Sequence, residues 1–189
     1  MKTLKTMKTR CALIGVATLF AANSVFASLG TVTLTEGGGN ANSGGLFQAV
    51  TSNNGTFDTF CMSIPTAFTP GHTYYYDISS TIVANGVPPA PDYVTWGTAY
   101  LYSQFMAGNS SYAGVANANA VQATIWYLQG NLTGGFIDPE NNQNLSSLIN
   151  PILALITADT GKSGGDLTSN GNGAFNVYAM NLFSDPNGV

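Results

Sequence analysis

The stretch "TYYYDISSTIVANGVPPAPDYVTWGTAYLYSQF", residues 73–105, decides the fold class because the spacing of its bulky residues changes part-way through. "TYYYDISSTIV" alternates large and small side chains, which suits a pleated strand. "NGVPPAPD" breaks that pattern with proline and glycine. "TWGTAYLYSQFMAG" then places Trp96, Ala99, Tyr100 and Phe105 at helical spacings, with Gly108 as a stop. The chain before the break reads as β structure, and most of the chain after it reads as helix.

Working back from the break, "TVTLT", "LFQAV" and "TFDTFCM" are strands separated by the turn clusters "EGGGNANSGG" and "TSNNG". Working forward, "NANAVQATIWYLQG" predicts a second helix with Ala118, Val121, Gln122, Ile125, Trp126 and Gln129 on or near one face. A third helix is expected from Asp138-Pro139, carrying Leu145, Leu148, Ile149, Ile152 and Ile156, and split by Pro151 with Asn150 as the cap of the second piece. "TGKSGGDLTSNGNG" reads as a flexible loop, and "AFNVYAMNLF" returns to strand. The expected class is α+β: a β-sandwich or barrel-like core with a small helical subdomain inserted in it or packed on it.

The first 27 residues stand apart. Lys2, Lys5, Lys8 and Arg10 precede the apolar run "CALIGVATLFAANSVFA", the pattern of a secretory signal peptide cleaved after Ala27. The run is too short and too poorly flanked to be a stable membrane span, so no membrane insertion is expected of the processed chain. Residues 28–189 then form a single domain, long enough for a sizeable core. Four of the five basic residues leave with the leader, and Lys162 remains against nine acidic side chains. Nucleic acid and acidic membranes are therefore excluded as expected partners, since both need clustered Lys and Arg. The expected location is secreted, with the possibility of cell-surface attachment through a segment beyond "SDPNGV".

Two residues are out of character. Cys61 is the single cysteine of residues 28–189, and an exported thiol is buried, paired with another chain, or used for chemistry. Gln122 is an amide in the middle of an apolar helical pattern. Taken alone, Cys61 reads as a small buried hydrophobe and Gln122 as a core amide bonded to backbone. Together they allow a third reading: a thiolate held against a glutamine carboxamide can attack its carbon, expel ammonia and leave an internal thioester. A helix face locked by Ile125 and Trp126 would fix the glutamine, and a strand flanked by Phe60 and Met62 would fix the cysteine.

Other signals are weaker. His72 sits in the turn "PGHT" and reads as solvent-facing. Asp166, Asn170 and Asn172 could offer oxygens to calcium, but a polar loop is the simpler reading. No metal-ligand spacing and no cofactor motif is present, and with one histidine and no "GxSxG" no nucleophilic triad can be built. The sequons at Asn54, Asn109, Asn131 and Asn144 read as products of an Asn-, Ser- and Thr-rich composition.

"FC" at Phe60-Cys61 and "VQATIW" at Val121 to Trp126 resemble the two signature pieces of the thioester-domain family of bacterial surface adhesins. "TFC", "PG", "TAYLY" and "QATIW" also occur in the order seen in related exported proteins, many from bacteria with a PEP-CTERM sorting system. The resemblance spans roughly residues 57 to 130. It implies an intramolecular thioester in which Cys61 supplies the sulfur and Gln122 the acyl carbon. The implied partner is an amine-bearing protein or matrix target, typically through a lysine, and the implied reaction is single-use, so the protein would be a covalent binder and not a turnover enzyme. Relatives often carry an acidic or amide residue shortly after the cysteine, where this chain has Met62-Ser63. The rival expectation is a non-covalent structural or adhesive matrix protein in which Cys61 and Gln122 are only core residues.

Overall fold

The computed structural model describes residues 9–10, 13–16, 30–41, 44–64, 67–82, 92–132, 134–139 and 142–184. Its strands are β1 (Thr9–Arg10), β2 (Leu13–Val16), β3 (Gly30–Ala41), β4 (Gly44–Thr51), β5 (Gly55–Phe60), β6 (Ala67–Phe68), β7 (Thr73–Ser79) and β8 (Val177–Phe183). Its helices are α1 (Trp96–Met106), α2 (Val115–Leu128), α3 (Ser146–Thr160) and α4 (Gly165–Thr168). The α+β reading holds: a curled antiparallel sheet forms a half-barrel, with the helices packed on it.

The sheet runs β2-β8-β7-β3-β4-β5, every pair antiparallel, while β1 pairs separately with β6. Alternation along the strands sorts side chains between core and solvent: Val32 and Leu34 on β3 and Phe47 and Ala49 on β4 are buried, while Val50 is exposed. β2 pairs with β8 at one edge and also lies against β5 at the other, so it spans the mouth of the half-barrel. β1 and β2 fall within the 27 residues expected to be a leader. The proline-rich break at 83–91 and the cleavage site expected after Ala27 lie outside the described residues.

α2 is the centre of the molecule. It packs on β3 and β4 and is flanked by α1 and α3. It therefore buries more than one stripe: Ala118, Val121, Ile125 and Leu128 enter the core shared with α1 and α3, while Ala123 and Trp126 enter the core shared with the sheet. Thr95 caps α1, its hydroxyl accepting from the Thr98 amide at 3.3 Å.

Three expectations are corrected. The third helix begins at Ser146, not at Asp138, because the Asn144 side chain accepts from the Ser146 amide at 2.9 Å and opens the helix there. Pro151 does not split it: Pro151 lies inside the continuous helix. The carbonyl deprived of a donor is that of Ser147, which is exposed and can be hydrated. The segment read as a flexible loop contains α4, whose Leu167 is buried. Past it, Gly171 passes so close to α1 that a Cβ would stand 2.5 Å from the Trp96 Cα, and its amide bonds the Val94 carbonyl at 2.9 Å. Contact with α1 thus orders a stretch whose composition is that of a linker.

Candidate functional site

Cys61 follows β5 directly, and Gln122 lies near the middle of α2; both are fully buried. Strand alternation sends Phe60 and Met62 toward α1 and α3, and Cys61 toward the sheet-side core that also holds Ala123 and Trp126. Phe60 is fixed by edge-on contacts with Phe105 at 4.8 Å and Tyr102 at 6.5 Å between ring centroids. The Tyr102 hydroxyl reaches back to the Asp58 carbonyl at 2.6 Å, so α1 clamps the end of β5 from both backbone and side chain.

The structure brings Cys61 and Gln122 together through two hydrogen bonds, and a third ties Gln122 to Gly45. Gln122 Nε2 donates to the Cys61 carbonyl at 2.7 Å, and Gln122 Oε1 accepts from the Cys61 amide at 2.9 Å and the Gly45 amide at 3.2 Å. Two backbone N–H groups on one carbonyl oxygen, in a site closed to water, polarise the carboxamide and stabilise negative charge on that oxygen if its carbon is attacked. Of the supporting residues, Phe60 braces the strand, Trp126 shares the core of Cys61, and Ile125 packs on the opposite side of α2.

Sequence reasoning missed Gly45. It sits in "EGGGNANSGG", which reads as a turn cluster, and nothing in its local pattern points to a residue 77 positions away. It also missed that α2 repeats the clamp. Gln129 Oε1 accepts from the Thr95 amide at 2.9 Å and its Nε2 donates to the Tyr93 carbonyl at 3.1 Å. Asn131, just beyond the helix, donates to the Met62 carbonyl at 2.8 Å and accepts from the Ile64 amide at 3.3 Å.

Cys61 is disulfide-bonded in the full chain. The sequence contains one other cysteine, Cys11, which belongs to the expected leader and lies outside the described residues. A sulfur in a disulfide offers no thiolate, so the thioester reading requires both removal of the expected leader and reduction of this bond by a thiol reductant.

The remaining candidates are elsewhere. Lys162 Nζ stands 5.0 Å from the centroid of Trp96, whose ring is stacked on Tyr100. His72 is exposed and makes an edge contact with Tyr74. Asn170 Oδ1 accepts from the Asn172 amide, and among the described residues no group of three or more His, Cys, Asp or Glu side chains could hold a metal. Tyr100 and Tyr112 both donate to Asp159 Oδ2, at 3.2 and 2.7 Å. Burial, and then the neighbouring Asp159, push the Tyr112 hydroxyl far above the usual tyrosine range. No described helix is long and apolar enough to cross a membrane.

No protein-family model, curated protein or solved structure matches this chain.

Proposed function

We propose that the protein is an exported adhesive domain whose Cys61 and Gln122 form an internal thioester in the processed chain, and that it attaches covalently to amine-bearing targets. The observation that carries this reading is the seating of the Gln122 carboxamide on the backbone of Cys61, with two N–H donors on Oε1. A thiol reductant first cleaves the disulfide of Cys61 by exchange and leaves its thiol. Cys61 Sγ then attacks Gln122 Cδ; the Sγ–Cδ bond forms, the Cδ–Nε2 bond breaks, and the thiol proton leaves with the nitrogen as ammonia. In the last step, a target amine attacks Cδ, the Cδ–Sγ bond breaks, and the amine gives up a proton to the departing sulfur. The product is an amide between Gln122 and the target, with Cys61 returned as a thiol.

Three further features support the reading. The pair is fully buried among Trp126, Ala123 and the sheet, which keeps out the water that would hydrolyse an ester. Lys162, the sole lysine of residues 28–189, is held over Trp96 in α1, an element that does not carry either partner of the bond. The resemblance of "FC" and "VQATIW" to thioester-domain adhesins falls on the two residues that the fold juxtaposes.

One observation favours the rival, a non-covalent structural or adhesive matrix protein. Gln129 clamps Tyr93 and Thr95 in the manner of Gln122 with no sulfur at the clamped residue, so such a clamp has a purely architectural use in this fold. Intact mass and peptide mapping of the protein exported and processed by a bacterial host separate the two. A deficit of one ammonia that maps to Cys61 and Gln122 supports the thioester. The full unmodified mass, with a titratable Cys61 thiol and no uptake of a labelled small amine, moves the assignment to the matrix reading.

A further inference from the structure

A buried acyl donor poses a problem of access. Cys61 and Gln122 expose no surface in the full chain, yet a target amine must reach Cδ of Gln122. The element standing across the mouth of the half-barrel beside β5 is β2, four residues of the expected leader. It is seated by backbone pairing to β8, with Leu13 opposite Met180 and Val16 opposite Val177. When a thiol reductant has opened the disulfide of Cys61 and the leader is cut away after Ala27, the outer edge of β8 loses this partner. The N–H and C=O groups left along that edge, over residues 177–180, are a template for another strand.

We infer that the slot vacated by residues 13–16 is the docking site for the target, and that its occupant is an extended, uncharged segment of a lysine-bearing protein added as a strand to β8. This inference rests on the thioester reading for its chemistry but on the sheet topology for its geometry. The segment seated there in the full chain sets the occupant's nature: "LIGV", four uncharged residues with no proline, in β conformation. The nine acidic side chains of the processed chain, against Lys162 alone, favour a cationic side chain at the end of that segment.

Strand polarity fixes where that cation must lie. Counting across the antiparallel sheet, β8 runs in the same sense as β5, so a strand antiparallel to β8 is antiparallel to β5 as well. Cys61 lies just past the C-terminal end of β5. The end of the added strand nearest to it is therefore the N-terminal end, the Leu13 end of β2. A lysine one or two residues before the paired segment is placed beside the acyl carbon; a lysine after the segment is placed at the far end of the slot.

The test uses the protein exported and processed from the full chain and treated with a thiol reductant that is then removed, its new N-terminus and the loss of residues 1–27 read by intact mass. Two probe peptides are compared: residues 11–17 of this chain carrying Cys11→Lys, and residues 12–17 with a lysine appended at the C-terminus. Both are N-acetylated so that lysine is their only amine, and a labelled small amine is run in parallel. The expected result is adduct formation at Gln122 at least about tenfold faster with the N-terminal lysine, since docking raises the local amine concentration only for that peptide. Equal rates for the two peptides, or a faster C-terminal lysine, overturn the slot while small-amine uptake still upholds the thioester. Non-covalent binding of residues 12–17 to the processed Cys61→Ala variant, read by fluorescence anisotropy, upholds the slot even where no amine is incorporated. Absence of that binding in a folded variant, or recovery of a chain that retains residues 13–16, overturns it.

Discussion

Gln122 on α2 and Gln129 at the C-cap of that helix lie two turns apart, and each presses its carboxamide onto the backbone of a passing segment. Gln129 straddles two residues, taking the amide of Thr95 and the carbonyl of Tyr93, and so fixes the entry into α1. Gln122 takes both backbone groups of one residue, Cys61, and collects a further amide from Gly45. The difference is instructive. One clamp holds a helix start where the clamped residues carry no sulfur, and the other puts two N–H donors on a carboxamide oxygen seated on the backbone of a cysteine. The same side-chain type clamps backbone in both places, and under the proposed function the second clamp also holds the acyl donor.

The comparison breaks most visibly in amine uptake. Gln122→Glu and Cys61→Ala are expected to abolish incorporation of a labelled small amine into the processed protein, and Gln129→Glu to leave it intact; uptake that survives in Cys61→Ala removes the mechanism. Stability sharpens the contrast next. Gln122→Ala strands two amides and a carbonyl in the core and should cost on the order of 3 kcal/mol or more, against about 2 kcal/mol for Gln129→Ala, which strands one of each. Denaturant midpoints at constant slope measure both, and an equal loss would mean that the Gly45 bond contributes nothing.

A smaller effect concerns the brace of α1 that keeps Phe60 and Tyr102 against β5. The Tyr112 hydroxyl donates to Asp159 and is held protonated well above its ordinary range. A raised folded-state value means that its contribution is fully present below about pH 10, where the unfolded tyrosine is also neutral, and is lost progressively as pH rises beyond that. Tyr112→Phe should cost about 1.5 kcal/mol at neutral pH and flatten the alkaline fall in stability. An unchanged alkaline limb in that variant would assign the fall to other groups. The smallest effect is expected from Lys162→Gln, which removes the cation over Trp96 for about 0.5–1 kcal/mol and leaves small-amine uptake unchanged.

Several features are legible in the sequence alone. The switch in period around residues 80–95 separates the sheet from the helices, because side-chain spacing reports directly on whether a segment faces its core every two residues or every three to four. "VQATIW" announces a helix with an amide inside it, and "TFC" a strand that buries a cysteine. Boundaries set by single side chains are less legible. Asn144, not Asp138, starts α3, and Pro151 is tolerated because the carbonyl it orphans faces solvent. Leu167 and Gly171 become ordered only because α1 is there to receive them.

The chain by itself determined its α+β class, the acid-rich and nearly cation-free composition of residues 28–189, and the presence there of a single cysteine and of a glutamine within an apolar helical pattern, since these depend on composition and local spacing. Tertiary structure alone decided that Gln122 meets Cys61 across 61 positions of sequence, that Gly45 supplies the second donor to its oxygen, and that β2 closes the mouth beside them. Those are contacts between segments whose local patterns carry no mark of one another; they exist because the sheet must curl around α2 to bury it, and the curl fixes which backbone edges face the helix.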